Sequence, residues 1–135
     1  MVILGGLGKY KDLGLLILRV GIGAFLMTHG VPKLMAGPKM WEGLGGALGM
    51  FGIHFLPTFW GFMAAAAEGI GGLLLILGLF FRPATLLVLF TMFVAAYSHL
   101  SKGDPLSKAE LSIVFGIAAL SLFILGPGRY SIDKK

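Results

Sequence analysis

Four long apolar runs dominate the pattern of hydrophobic and polar positions along the chain. They cover about residues 13–35, 59–80, 83–101 and 109–126, and short polar or glycine-rich stretches separate them. A helix needs about 20 mostly apolar residues to cross a bilayer. The pattern therefore predicts an all-α protein, an integral membrane four-helix bundle in which residues 1–135 form one transmembrane domain.

The connection between the first two apolar runs differs from the runs themselves in composition. It reads "AGPKMWEGLGGALGMFGIHFLPTF", which is moderately apolar, rich in glycine and supplied with aromatic side chains such as Trp41 and Phe51. It is too short and too broken by glycine to cross a bilayer, yet its aromatic residues suit the lipid–water boundary. We expect an interfacial or re-entrant segment here.

The other two connections are short. In "FFRPAT", Pro83 suits the first turn of the third span, so the second and third spans are predicted to form a tight helical hairpin. In "SKGDPLSKAE", Ser107 stands three residues before Glu110, a spacing that predicts Ser107 as the N-cap of the fourth span.

Composition agrees with a membrane protein and narrows its chemistry. Hydrophobic residues make up 57% of the chain and charged residues only 13%, far from the usage of soluble domains. The net charge of +5 comes from scattered single bases, which favours contact with anionic lipid headgroups over nucleic acid. The chain has no cysteine, which excludes disulfides and thiolate-bound clusters. Any electron chemistry therefore needs a borrowed cofactor, since none is intrinsic.

The distribution of bases predicts an orientation in the cell membrane. An even number of crossings places both termini on one side. That side carries six bases and the other side four (Lys9, Lys11, Arg82, Arg129, Lys134 and Lys135 against Lys33, Lys39, Lys102 and Lys108). The excess of positive charge on cytoplasmic segments then predicts cytoplasmic termini.

A carboxylate, Glu68, lies near the middle of the second span, in "AAAAEGIGGLLLILGLF". An ionised carboxylate in hydrocarbon costs several kcal/mol, so such a group is expected to be paired, protonated or functional. Arg19, His29 and His99 are the three partners that the sequence offers. Such a pair could simply fix the helix register, but an intramembrane ionisable group more often marks a functional site.

Further polar groups are predicted to share the outer half of the membrane with Glu68. At about 1.5 Å per residue, His29 and His99 lie at one depth on different spans. Lys33 lies one turn from His29, Tyr97 lies just below His99, and Glu110 begins the fourth span. The sequence thus predicts a polar pocket that opens outward. Its candidate catalytic residues are Glu68, His29 and His99, and its candidate ligand-binding residues are Arg19, Lys33, Tyr97 and Glu110.

Two histidines at one depth also suit other ligands. A bis-histidine haem between His29 and His99, or a divalent metal held by both rings and Glu68, would require the imidazoles to face each other with further groups orienting each ring. Equal depth meets only one of these geometric demands. We therefore predict no metal site and favour an organic head group or a small anion as the ligand.

The residues resemble a known family over nearly the whole chain. The stretches "LGLLILRVGIGAFLMTHGVPKL", "EGIGGLLLILGLFFRPATLLVLFTMFVAAYSH" and "GPGRYSID" resemble the DoxX family of small bacterial and archaeal membrane proteins. The distinctive positions are the arginine of the first span, the "HGVPK" element, the glutamate before a glycine pair, the "RP" hairpin and the "GPGR" tail (Arg19, His29, Gly30, Lys33, Glu68, Gly71, Gly72, Arg82, Pro83, Gly126, Pro127, Gly128, Arg129 and Asp133).

The resemblance implies a four-helix membrane protein, and family relatives are tied to quinone chemistry and oxidative stress. The expected function is a membrane subunit of a quinone-linked oxidoreductase or oxidative-stress system, with a quinone as ligand, an oxidoreductase as partner subunit and self-association as a further option. One alternative is a non-catalytic assembly or interaction factor in the bilayer. Another is a transporter of small anions or protons, which is least favoured because the two halves of the chain do not repeat.

Overall fold

A computed structural model describes residues 3–133 of the chain and places them in helices and short connections, with no strand in that range. Four of the helices are long and apolar enough to cross a membrane, which confirms the predicted all-α membrane bundle. The helices are α1 Lys11–Ala36, α2 Pro38–Gly45, α3 Pro57–Leu77, α4 Phe81–Ser101 and α5 Leu106–Leu125, with 3₁₀ segments at Gly5–Tyr10 and Gly46–Phe51.

The boundaries of the spanning helices follow local backbone chemistry. Pro57 and Pro83 each lie in the first turn of a helix, where the missing N–H costs little. Gly78 ends α3 in the left-handed conformation, with φ +67°, which glycine adopts without steric cost. The predicted N-cap Ser107 is wrong, because α5 begins at Leu106 and has no side-chain cap.

The bundle has two distinct ends. We call the end that carries residues 37–56 and 102–105 the loop face. The opposite end is the termini face, with the start of α1, the α3–α4 turn and the tail that follows α5. At the loop face α2 lies against α3, and the Phe51 ring packs at a tilt against the Tyr97 ring with centroids 5.1 Å apart. The segment predicted as interfacial or re-entrant thus consists of two short helical pieces that cover one end.

Helix packing divides the bundle into two pairs, α1 with α3 and α4 with α5. Glycines allow the first pair to approach closely, since a Cβ on Gly23 or Gly30 would collide with the α3 backbone or side chains. Buried apolar side chains fill the half of the bundle nearer the termini face, including Leu75, Phe81 and Leu122. The dense core therefore occupies one half of the membrane-spanning region.

The tail after α5 folds back across the termini face. The Asp133 carboxylate accepts hydrogen bonds from the backbone N–H groups of Phe80 and Phe81, at 3.2 and 2.8 Å. The Arg129 N–H donates to Asp12 Oδ1 at the start of α1, at 3.1 Å. These contacts place the start of α1 and the tail on one face, as the even number of spans requires; Lys134 and Lys135, counted for that face, lie outside the described residues.

Candidate functional site

The buried carboxylate of Glu68 forms an ion pair with Lys33. Lys33 Nζ lies 2.7 Å from Glu68 Oε2, and Glu68 is only 7% exposed. The partners predicted from the sequence, Arg19 and the two histidines, are therefore wrong. The sequence predicted Lys33 as a ligand-binding residue of the same pocket and not as the partner of Glu68, but its long side chain reaches along α1 toward the middle of α3.

Close packing of α1 on α3 creates this pair. Gly30 lies against the backbone of Glu68 and Gly69, where a Cβ would have no room. Lys33 follows Gly30 by three residues and so lies on the same face of α1, next to Glu68. The Trp41 indole N–H donates to the Lys33 carbonyl oxygen at 3.0 Å, which ties the end of α1 to α2. The ion pair thus depends on backbone contact between two helices.

A cavity of about 500 Å³ opens beside the ion pair, in the half of the bundle nearer the loop face. This volume lies in the range of sites for small organic ligands. Side chains from all four spanning helices line it. Its polar members include Lys33 and Glu68 with His29 and His99, so four of the predicted site residues share one space. Its apolar members include Leu48, Met63, Leu87, Phe90, Met92, Leu111 and Phe115.

The two histidines have different neighbours within this cavity. The His29 ring meets the edge of the Phe115 ring, with centroids 6.2 Å apart. His99 Nδ1 lies 3.0 Å from Asp104 Oδ2 in the α4–α5 connection. This hydrogen bond holds the pKa of the Asp104 carboxyl below its ordinary value. The Asp104 carboxylate therefore orients the His99 ring, whereas the His29 ring packs against the aromatic ring of Phe115.

Arg19 lies away from the cavity and serves the other end of the bundle. It is 1% exposed, and its guanidinium donates to four carbonyl oxygens at 2.8–3.0 Å. Those of Leu75 and Ile76 belong to the last turn of α3, and those of Pro127 and Tyr130 belong to the tail. The guanidinium is thus committed to backbone groups, and the predicted contact with Glu68 does not form.

Two other predicted ligand-binding residues also lie outside the cavity lining. Tyr97 is 45% exposed and packs with Phe51 and Phe93 on the outside of the bundle. Glu110 is exposed near the start of α5. Their helical positions were close to the predicted depth, but each side chain points from a different face of its helix than the pocket requires.

Trp60 is a lining residue that the sequence interpretation missed. Its indole nitrogen is buried, with no hydrogen-bond acceptor among residues 3–133. A tryptophan in the first turn of a membrane span normally indicates an interface anchor, so no sequence signal distinguished it. Because Trp60 borders the cavity, its fluorescence can report on what binds there.

The polar side chains of the cavity can donate hydrogen bonds and exchange protons. Lys33 can donate to a carbonyl or anionic oxygen, and Glu68 and the two imidazoles can exchange protons. Across residues 3–133 no group of three or more histidine, aspartate or glutamate side chains is placed to hold a metal ion. The cavity therefore suits an apolar ligand that carries a polar oxygen.

Comparison with known proteins places these features in a family. The DoxX family model matches residues 14–100, which include α3 and the cavity residues His29, Lys33, Glu68 and His99. A Bacillus subtilis (strain 168) protein named "Putative oxidoreductase CatD" is 28% identical over 127 residues, covering 94% of this chain and 90% of that protein. An uncharacterized protein of Haemophilus influenzae (strain ATCC 51907 / DSM 11121 / KW20 / Rd) is 29% identical over 138 residues, covering 98% and 97%. No solved structure matches significantly.

Proposed function

The chain belongs to the DoxX family of membrane proteins, and from this premise we propose that it is a membrane subunit of a quinone-linked oxidoreductase or oxidative-stress system. In this proposal the central cavity binds the head group of a quinone beside Lys33 and Glu68. The orientation is that predicted from the bases, in the cell membrane with the termini face in the cytoplasm. The cavity then lies in the outer half.

The observation that carries the proposal is an apolar cavity with a charged pair at its inner wall. Leu87, Phe90 and Leu111 line the cavity and are 38%, 60% and 50% exposed, which suits a ligand that arrives from the bilayer. A quinone has an apolar body and carbonyl oxygens that accept hydrogen bonds. The name of the Bacillus subtilis relative supports redox chemistry.

Each polar residue has a distinct role in this proposal. The Lys33 ammonium donates to a carbonyl oxygen of the bound ring. Glu68 orients that ammonium through the ion pair and exchanges protons with the site, because a carboxylate close to a reacting oxygen can act as general acid or base. His29 and His99 are the further proton carriers. The side chains of this chain carry no redox centre. A bound quinone would supply the electron acceptor.

Electrons must come from a second protein. The chain has no cysteine, and its aliphatic and aromatic cavity wall holds no group that stores an electron pair. A partner oxidoreductase is therefore part of the proposal, docked where it can reach the cavity. Self-association remains compatible with this arrangement.

Quenching of Trp60 fluorescence tests the proposal directly. The purified chain in nanodiscs is titrated with a short-chain ubiquinone analogue, and saturable quenching at low concentration is expected because Trp60 borders the cavity. Trp60→Phe leaves Trp41 as the sole tryptophan and reports non-specific quenching. The double variant Lys33→Met/Glu68→Leu should fold but lose the saturable phase. Equal, non-saturating quenching in all three proteins would refute quinone binding at this site.

An assembly or interaction factor is the second candidate, and one observation favours it. Glu68 already has an ion-pair partner within its own chain, which a scaffold would also require. If membranes that contain the Lys33→Met/Glu68→Leu variant support the same cellular phenotype as wild type, the polar pair serves folding, and the assembly role replaces the quinone role.

A further inference from the structure

A second, smaller space lies between the end of α4 and the covering segment, our name for residues 38–51, the two short helical pieces at the loop face. Its volume is about 360 Å³, and Gly43, Ala47, Ser98 and Lys102 line both this space and the central cavity. The two spaces therefore meet at these four residues, which we call the neck. Gly43 carries no side chain, and a Cβ added there would meet nothing within 4 Å. The neck is thus a passage lined mainly by small side chains.

The outer part of this passage carries three polar side chains on an otherwise apolar lining. Ser98 and Ser101 come from the last turn of α4, Lys102 follows it directly, and Gly43, Gly46 and Met50 come from the covering segment. Ser101 and Lys102 are exposed at the loop face. A passage with hydroxyl and ammonium groups at a water-exposed end suits water and hydrophilic solutes, whereas the bilayer-facing side of the cavity suits apolar ligands.

The charges along the passage are mainly positive. Lys102 and Lys108 line the central cavity, and the Asp104 carboxylate, which is hydrogen-bonded to His99, lies close enough to interact electrostatically with both lysines. Glu68 is the acidic residue of the lining, and it is paired with Lys33. His29 and His99 are the remaining titratable groups that line the space. With Lys33, Lys102 and Lys108 against Glu68 and Asp104, the passage keeps a small excess of positive charge, which favours anions over cations.

The opposite end of the cavity is closed. Below Glu68 the bundle is filled by buried side chains of Leu26, Leu75 and Val88, each 0% exposed. Arg19 and the tail cover the termini face through four hydrogen bonds to backbone carbonyls. Water that reaches Glu68 must therefore come from the loop face.

We propose that the neck is an aqueous portal that connects Glu68 to water at the loop face alone and favours anionic over cationic solutes. The portal would let Glu68 exchange protons with one side of the membrane, while an apolar ligand occupies the bilayer-facing part of the same cavity. The access route does not depend on the ligand's being a quinone, so it can hold or fail independently of the proposed function.

Cysteine labelling tests the portal, and the cysteine-free chain makes every introduced thiol unique. Ala64→Cys places a thiol in the cavity lining, Ala119→Cys places one in the sealed core, and Ser107→Cys and Lys9→Cys mark the loop face and the termini face. The purified variants are reconstituted in one orientation and treated with membrane-impermeant methanethiosulfonates from either side. If Ala64→Cys does not fold, Ser112→Cys, also in the lining, replaces it.

If the portal exists, labelling of the cavity thiol should depend on the side from which the reagent is added. The cavity thiol should react from the same side as Ser107→Cys and not from the side of Lys9→Cys, and the Ala119→Cys thiol should react from neither. Ala47→Trp should slow labelling of the cavity thiol by about tenfold or more by filling the neck, while Ser107→Cys keeps its rate. Labelling of the cavity thiol from the termini side, or an Ala47→Trp variant with an unchanged rate, would overturn the portal.

Charge selectivity is measured with the sulfonate reagent and the trimethylammonium reagent, each corrected for its rate with a free thiol. The anionic reagent should label the cavity thiol about tenfold faster than the cationic one. Lys102→Gln should reduce that preference and Lys102→Glu should reduce it further. Equal rates for the two reagents in the Ala64→Cys protein with Lys102 unchanged would refute the charge selectivity, even if the cavity thiol is labelled from the loop face only.

Discussion

At the scale of single residues, two basic side chains of α1 are stabilised in different ways, Arg19 being buried and Lys33 partly exposed. Arg19 satisfies its guanidinium with four backbone carbonyls, whose partial charges replace a counterion. Lys33 instead pairs with the carboxylate of Glu68. Only the second arrangement leaves a charged pair beside open space. The arginine is therefore a structural residue, and the lysine is available for a ligand.

Replacement of Arg19 by lysine should destabilise the bundle strongly. A lysine keeps the charge but lacks the planar fork that reaches α3 and the tail together. We expect a loss of about 3 kcal/mol in the free energy of unfolding, because buried carbonyls lose their donors. Chemical unfolding in a mild detergent measures this loss. Arg82→Lys is the matched control, since Arg82 bonds two exposed carbonyls of α5; a loss as large as that of Arg19→Lys would contradict the account.

Removal of one partner of the ion pair should cost more than removal of both. Glu68→Leu leaves the Lys33 ammonium without a counterion and should lower the free energy of unfolding by about 3 kcal/mol, whereas Lys33→Met/Glu68→Leu should recover most of this. Unfolding of the two single variants and the double variant measures the coupling. Additive losses would show that the pair does not contribute as a unit.

Glu68→Gln separates folding from proton exchange at the same residue. The amide keeps the size of the side chain and an oxygen that accepts from Lys33 but removes the negative charge, so the melting temperature should fall by less than in Glu68→Leu. Quinone-linked activity in membrane vesicles should be lost, since the amide carries no titratable proton. A folded Gln variant with full activity would remove Glu68 from the proton path.

At the scale of helices, the site depends on how closely α1 and α3 approach. Gly30→Ala adds a Cβ that collides with the backbone of Glu68 and Gly69, so the helices must separate. We expect a loss of about 2 kcal/mol and weaker quinone quenching of Trp60 fluorescence. Gly21→Ala on the same helix is the control, because its Cβ meets nothing within 4 Å and alanine favours the helix. Similar losses for both variants would contradict the contact.

The helices themselves were predictable because membrane spans have a strong local signal. Long apolar runs define α1, α3, α4 and α5 to within a few residues, and Pro83 marks the start of α4. The pairing of Glu68 was not predictable in the same way. Depth follows from residue counts, but the face that each helix presents follows from packing between glycines far apart in the sequence, such as Gly30 and Gly69. Tyr97 and Glu110 were placed wrongly for the same reason.

At the scale of the whole molecule, the two faces of the bundle differ in structure. The termini face is closed by the tail and the apolar core, and the loop face carries the cavity and its basic portal. The sequence predicted four of the cavity residues, His29, Lys33, Glu68 and His99. It could not predict that the tail returns to Arg19, because "GPGRYSID" has no periodic pattern that indicates a contact.

The orientation of the bundle remains a prediction, with both termini in the cytoplasm. It follows from the larger number of bases that the sequence assigns to the side of the termini. The contact between Asp12 and Arg129 shows only that the start of α1 and the tail share one face. Reporter fusions at Lys135 and within residues 102–108 should give opposite signals, with the reporter at Lys135 inside. The reverse assignment would turn the cavity toward the cytoplasm, and equal signals would contradict four crossings.

The bonds of Arg19 also set an order for folding. The arginine belongs to the first spanning helix, but two of its acceptors, Pro127 and Tyr130, follow the last spanning helix in the sequence. While the chain is being made, α1 therefore enters the bilayer with a cation whose acceptors do not yet exist. The hydrogen bonds of Arg19 are complete only when residues beyond α5 have emerged and folded back across the termini face, so the first spanning helix is fully stabilised only after the last one has been made.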